Sequence, residues 1–492
     1  MSTRIAFTED QFSPLVSSLG AGDETAAVVA TSLVRVAPTA VDAANVAGGG
    51  IPKVAGPITL LAQAITLVAD DAYVERGPAG LSISSTGWVP AFREAVANDQ
   101  VPVFVHTHPC GLPEFSANDD LVDTDLAIAA RAFGAPYYAA VVVAGSPDAP
   151  QVAARLCDLG QTFDAAAPQF VVVDAVRVVG AGLRLYLPPV EADESRDLAD
   201  EEQLSVFDRQ IRMLGPDGNR TLTHVRAAIV GGGGTGSAVS VQVARLGLSE
   251  LVIVDDDVVT EPTPTRGHGI TTGDVGRSKV DALGDHLDAI GLMGTPVVRI
   301  GKSLEHPDAL AAIAHADVVF SCVDGHGARL ILNRWAYAHI AAVVDVAVLV
   351  APTQRENRGR EVQIEQRVTW VAPGAACLLC RGRIDPALAT AELLDPETRK
   401  RLAGEGYVQA AETPQPAVVT LTTSVAALAA TEFLLRLTGL GKTDATELLL
   451  RSHLGELRRN ARSARPGCFC ASTTFIGRGA RSPYLDLLGV LQ

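Results

Sequence analysis

The stretch AAIVGGGGTGS at residues 227–237 limits what this chain can fold into more sharply than any other. Apolar residues run directly into a glycine cluster, Gly231-x-Gly233-x-x-Gly236, and the residues after it read as a helix. A strand, a tight turn and a helix in that order leave backbone N–H groups at the helix N-terminus free to meet a phosphate. After the next apolar run, ELVIV, Asp255 falls about twenty residues beyond the last glycine, where a carboxylate can hydrogen-bond ribose hydroxyls, with Asp257 beside it. The segments RAAIV, ELVIV and ADVVFSCVD alternate with helical stretches, which predicts an α/β fold with a parallel, doubly wound sheet. A nucleotide is the ligand such a turn selects. A dehydrogenase domain would explain both features, so other residues must decide.

With 492 residues the chain is long enough for two or three domains with separate cores. Between residues 190 and 203, VEADESRDLADEEQ carries seven acidic residues and one basic residue directly after Pro188 and Pro189, with almost nothing apolar to bury. It reads as a linker. The net charge of −16 argues against nucleic acid or an anionic membrane as partner, because no positive field exists to draw a phosphate backbone. The start, MSTRIAFTEDQF, lacks the layout of a secretory signal, and the stretch AVVTLTTSVAALAA reads as too short and threonine-rich to cross a bilayer. A cytoplasmic location is expected, where seven cysteines are metal ligands, nucleophiles or core fillers before they are disulfides.

Ahead of the linker, AAVVATSLVRVA, VPVFVHTH and YYAAVVVAG read as buried strands, and NDDLVDTDLAIAARAFG as a helix ending at Gly134, which makes this half a mixed α/β domain. On a strand, residues two apart share a face, so His106 and His108 present their imidazoles side by side. Asp119 opens the helix beyond them, and the Pro and Gly residues between let the loop fold back. Two neutral imidazoles and a carboxylate make an open zinc site able to lower the pKa of a water. The pattern His106-Thr-His108-Pro109, with Ser116 eight and Asp119 eleven positions beyond the second histidine, resembles the motif of the JAMM (JAB1/MPN/Mov34) metalloproteases. That resemblance implies an MPN domain over residues 1–165. It further implies zinc on His106, His108 and Asp119, Ser116 at the oxyanion, and a glutamate near the first core strand as general base. Glu24, in DETAAVVATSL, is placed for that role; Glu75, in DAYVERG, is the alternative. Cys110 reads as a loop filler beside this site.

Beyond the linker, FDRQIRMLG, DVGRSKVDAL and SCVDGHGARLILNR occur in order around the glycine turn and together resemble the adenylating domain of the E1-like ThiF/MoeB family, over residues 204–492. Residues 166–203 are then a connecting segment. The resemblance implies that the glycine turn, Asp255 and Asp257 hold ATP, that Lys279 and Arg266 contact phosphates, that Asp324 binds Mg²⁺, and that Arg209 reaches into the partner's site in a homodimer. Two departures stand out. The family's Ser-Asn-Leu-x-Arg is Pro262-Thr263-Pro264-Thr265-Arg266 here, so an asparagine contact is missing and the loop is stiffer. The crossover segment DPETRKRLAGEGYVQAAETPQPAVV also has no cysteine for a thioester. Cys322, beside Asp324, reads as a strand packing residue.

Cys377 and Cys380 in CLLC, with Cys468 and Cys470 in CFC, supply four thiolates, enough for a closed structural zinc site. Taken together, the residues predict a chain that cuts after the Gly-Gly of a ubiquitin-like or sulfur-carrier protein and adenylates the freed carboxylate with ATP. An E2-like or sulfurtransferase protein would be the next acceptor. An NAD-linked oxidoreductase and a non-catalytic adaptor that docks a ubiquitin-like partner are the competing readings.

Overall fold

A computed structural model describes residues 2–35, 57–109, 111–189, 205–290, 295–353, 361–394, 397–399, 401 and 416–479. The acidic linker, Cys110 and most of the crossover segment lie outside these. The chain divides into two compact units, Met1–Glu194 with Thr473–Arg481, and Ser195–Ser472 with Ser482–Gln492.

In the first unit the long apolar runs become a mixed nine-stranded sheet. Its strands are β1 (Thr3–Thr8), β2 (Ala26–Arg35), β3 (Ile58–Leu67), β6 (Val101–His108), β7 (Tyr137–Ser146), β8 (Ala149–Asp158), β9 (Phe170–Val172), β10 (Ala175–Val179) and β11 (Leu183–Tyr186). They lie in the order β11-β10-β1-β3-β2-β6-β7-β8-β9, while β4 (Tyr73–Gly77) and β5 (Gly80–Ile83) form a separate hairpin. The helices are α1 (Glu9–Ser18), α2 (Val89–Ala97) and α3 (Ala117–Phe133). A reciprocal capping box of Ser116 and Asp119 opens α3, and Gly134 closes it in the left-handed conformation that only glycine adopts without cost. Its apolar face, with Leu126 and Ala130, packs with Phe92, Phe104 and Tyr138 in one core cluster.

Two boundaries differ from the sequence reading. Residues 170–186, expected to be connecting chain, supply β9, β10 and β11, because Ala175–Val179 is buried throughout and pairs in parallel with β1. Thr473–Gly479, expected in the second domain, belongs to the first unit. There Gln63 Nε2 donates to the Gly477 carbonyl at 3.0 Å, and a side chain at Gly477 would stand 2.6 Å from the carbonyl oxygen of Ala62.

The second unit carries an eight-stranded sheet in the order β14-β13-β12-β15-β16-β17-β18-β19. The strands are β12 (Arg226–Val230), β13 (Glu250–Val254), β14 (Val297–Ile300), β15 (Val318–Ser321), β16 (Ala342–Thr353), β17 (Glu361–Val371), β18 (Glu447–Arg451) and β19 (Glu456–Asn460). The first five run parallel, and their order reverses direction at β12, as in dinucleotide-binding sheets. The antiparallel extension from β17 to β19 goes beyond the expected parallel sheet; it hangs on the eleven-residue pairing of β16 with β17. The helices are α4 (Asp208–Leu222), α5 (Gly234–Ala244), α6 (Lys279–Ile290), α7 (Pro307–Ile313), α8 (His326–Ala338), α9 (Pro386–Leu393) and α10 (Val419–Thr438). The stretch read as too short to span a bilayer, residues 417–430, runs into α10, which has 20 residues and an 18-residue window of mean hydropathy 1.2, long and apolar enough by those measures. It packs on α5, β16 and β17 and buries an ion pair, Glu432 with Arg436 at 2.6 Å.

Candidate functional site

In the first unit, the register of β2 against β6 decides what meets. Ala26 pairs with His106, and the Thr107 N–H donates to the Thr25 carbonyl, which carries Glu24 up to the histidine pair. Arg76 fixes the approach: its Nε donates to the Glu24 carbonyl at 2.8 Å and its guanidinium lies over the Tyr73 ring. From the other side the capping box of α3 delivers Asp119. The Nε2 atoms of His106 and His108 are 3.0 Å apart, and Asp119 reaches them at 3.1 and 3.7 Å. Nitrogen and oxygen donors this close, with their lone pairs converging, suit one cation. Ser116 Oγ accepts the Asp119 N–H at 3.2 Å. A cavity of about 240 Å³ opens over the group, lined by Glu24, Gly80, His106, His108, Ser116 and Asp119 among others. Glu75 is exposed and lies outside the lining.

The charges in this cavity are set apart. Burial pushes the Glu24 carboxyl above its usual value, the charge of His106 opposes that and Asp119 adds to it. Burial also acts on Asp119, but the hydrogen bond and charge of His106, with bonds from Ser116, hold its carboxyl well below the usual range. Burial and the neighbouring His106 push His108 down, which favours the neutral ring a metal needs. One buried carboxyl that keeps its proton readily and one that does not make an acid/base and ligand pair.

In the second unit, the glycine turn sits where the C-terminal ends of β12 and β15 part. Gly231 has φ of +96°, and a side chain there would stand 2.7 Å from the Cys322 carbonyl. One at Gly236 would fall 1.7 Å from the Gly231 carbonyl. Nothing lies within 4 Å of the corresponding point at Gly233, the N-cap of α5, so space remains above the N–H groups of that helix. Asp255 accepts from the N–H groups of Gly232 at 2.6 Å and Asp257 at 2.9 Å. Lys279 Nζ stands 2.6 Å from Asp257 and 3.8 Å from Asp255. Burial pushes the Asp255 carboxyl up, and Lys279 opposes it. The side chain of Arg266 lies 3.1 Å from where a Gly234 side chain would project, and Thr263, in the departing loop, turns its hydroxyl inward to accept the Thr260 N–H. Asp324 is exposed on the turn after β15. Arg209 is exposed on α4 and, among the described residues, forms no ion pair with this group.

Sequence reading missed what lies beneath the turn. Asp345, fully buried on β16, accepts from Arg329 Nε at 3.1 Å and Ser321 Oγ at 3.2 Å, with Arg367 at 3.4 Å. Arg329 also donates to the carbonyls of Val323 and Asp324, so it sets the shape of the turn that presents Asp324. The available signal was a lone acid in the apolar run AVVDVAV. Cys322 packs against the glycines, and burial first, then Asp345, push its thiol far above the usual value.

The four cysteines meet as expected. Cys377 and Cys468 sulfurs are 3.6 Å apart, Cys380 and Cys470 3.5 Å, and all four lie within 4.8 Å of one another. A disulfide would need about 2.05 Å. The edge of a tetrahedron built on Zn–S bonds of about 2.3 Å is about 3.8 Å, close to what is seen. A hydrogen bond from Cys470 holds the Cys377 thiol down, and the same contact pushes the Cys470 thiol up.

A parallel sheet with a glycine turn at the start of a helix, and with Asp255 and Lys279 beside it, is the architecture of a dinucleotide-binding fold. The ThiF family model matches residues 207–470, more than half of the chain, and the chain belongs to that family. It is similar to molybdopterin-synthase adenylyltransferase of Escherichia coli (strain K12), 29% identical over 194 residues that are 38% of this chain and 71% of that protein. It is also similar to the SAMP-activating enzyme E1 of Haloferax volcanii, 33% identical over 139 residues, 27% of this chain and half of that protein. Against SUMO-activating enzyme subunit 1 of Homo sapiens it is 32% identical over 93 residues, 19% of this chain and 27% of that protein. Among solved structures, E. coli MccB with ATP matches at a TM-score of 0.39 and 17% identity, over 51% of this chain and 68% of that one.

Proposed function

We propose that the second unit is an ATP-dependent, E1-like adenylyltransferase that activates the C-terminal Gly-Gly carboxylate of a ubiquitin-like or sulfur-carrier protein. The observation that carries this reading is Lys279, held between Asp255 and Asp257 beside the open N-terminus of α5 in a ThiF-family domain. A carboxylate oxygen attacks the α-phosphorus of ATP, the bond to the β-phosphate breaks, and pyrophosphate leaves. Lys279 and Arg266 offset the charge that gathers on the phosphates, the α5 N–H groups receive them, and Asp324 would hold Mg²⁺. In a homodimer, Arg209 would reach the neighbouring site. With no cysteine in the crossover segment, the adenylate passes to a separate acceptor, an E2-like or sulfurtransferase protein.

The first unit, on the same proposal, is a JAMM-type hydrolase that cuts after the same Gly-Gly. His106, His108 and Asp119 would hold zinc, which when bound supplies Lewis acidity at that point. Glu24 takes the proton of the attacking water and passes it to the leaving amine, and Ser116 donates to the developing oxyanion. The convergence of five side chains on one cavity supports this half. The Cys377, Cys380, Cys468 and Cys470 cluster would hold a structural zinc.

ATP–pyrophosphate exchange that depends on a small Gly-Gly-ended protein tests the activation half. Exchange is expected with that protein and none with a Gly-Gly-deleted form. Exchange in neither case, with NADH binding, would favour the oxidoreductase; exchange in neither and no nucleotide binding would favour the adaptor.

A further inference from the structure

We propose that Arg155 is a positioning residue for the Asp119 carboxylate, a role that rests on reading His106, His108 and Asp119 as a zinc site. Arg155 lies on β8, away from the histidines in sequence, and is buried. Its Nε donates to Asp123 Oδ2 at 2.8 Å, a second nitrogen donates to the same carboxylate, and a third pairs with Asp120. The other oxygen of Asp123, itself buried, accepts from the buried hydroxyl of Tyr138 on β7. The guanidinium also lies 3.9 Å from the ring centre of Phe115 and 4.6 Å from that of Phe170.

These contacts fall around the residues that matter. Phe115 immediately precedes Ser116, while Asp120 and Asp123 are one and four places beyond Asp119 on the first turns of α3. One planar cation thus grips the chain before and after the capping box and ties both sides to β7 and β8. The backbone that carries Asp119 cannot shift without breaking the buried Arg155–Asp123 pair or unstacking Phe115. Groups that orient a metal ligand in this way govern affinity nearly as strongly as the ligands do. Lysine cannot replace the arrangement, because an ammonium lacks the fork that serves two carboxylates and the flat faces that stack on two rings.

The experiment uses the full chain, with zinc as probe and a chromophoric chelator as competitor. Wild type is expected to bind two zinc ions, and His106→Ala one, which isolates the first-unit site. Arg155→Lys should weaken that site by about 10–100-fold, shift the visible spectrum of cobalt bound there, and leave the cysteine site at wild-type affinity. Unchanged affinity and spectrum in Arg155→Lys, with wild type binding two ions, would overturn the role of Arg155 alone. If wild type and His106→Ala bind the same number of ions, the zinc reading itself falls, and with it this inference. Should Arg155→Lys not fold, Phe115→Leu removes one stacking face and keeps the ion pairs; a several-fold weaker site supports the role, and wild-type affinity rejects it.

Discussion

At the scale of single residues, the two sites make different demands on a substitution. Glu24→Gln keeps the shape of the cavity and removes the base. Hydrolysis of a tail-extended substrate is expected to fall about 10²–10⁴-fold with zinc content unchanged, as turnover and metal analysis on one sample would show. If the variant cleaves at the wild-type rate, the proton goes elsewhere. Gly236→Ala demands space that is filled, since its new methyl would fall 1.7 Å from a backbone oxygen. Nucleotide affinity should drop at least about tenfold by calorimetry, an energy of about 1.4 kcal/mol. The histidines, Asp119 and the glycines were legible because their spacing is local and each follows an apolar strand. Asp345, Arg329 and Arg367 were not, because they come from β16, α8 and β17 and meet only through strand pairing and the packing of α8, which the sequence does not index. Arg155 was missed for the same reason: its partners lie 32 and 35 residues away.

Among elements, the antiparallel extension of the second sheet depends on a charge that titrates. Burial works against the ionised form of Glu447 at the start of β18, but Arg383 and Asn460 hold its carboxyl below the usual range. The unfolded carboxyl therefore takes a proton at higher pH than the folded one. Stability from this pair is full above about pH 4.3 and is lost as the pH falls through the folded value. The stability gap between wild type and Glu447→Gln, read from urea unfolding, should be widest near neutrality and shrink between about pH 5 and 3. A constant gap would mean that the carboxyl is not perturbed. The parallel core strands could be read from the sequence since each is a short apolar run between helix-like segments. β18 and β19 could not, because ELLLR and ELRRN owe their place to β17 rather than to a pattern of their own.

For the whole molecule, the two proposed chemistries should separate. Asp119→Ala is expected to abolish cleavage and leave ATP–pyrophosphate exchange intact, and Lys279→Ala to do the reverse; a variant that loses both would point to one shared site. With a structural zinc, as proposed, the cysteine cluster would serve the stability of the second unit rather than either reaction. Cys377→Ser should lower its melting temperature by roughly 10 °C, and an unchanged melt would remove zinc from that account.

The return of Thr473–Gly479 to the first unit, where Gly477 sits against β3, sets an order of assembly on the ribosome. A nascent chain folds from its beginning, so the β2–β3 pair emerges hundreds of residues before the segment that packs on it is made. Until residues 473–479 follow, that edge of β3 stays uncovered, so the proposed hydrolase starts to fold first and is finished only after most of the second unit has been made.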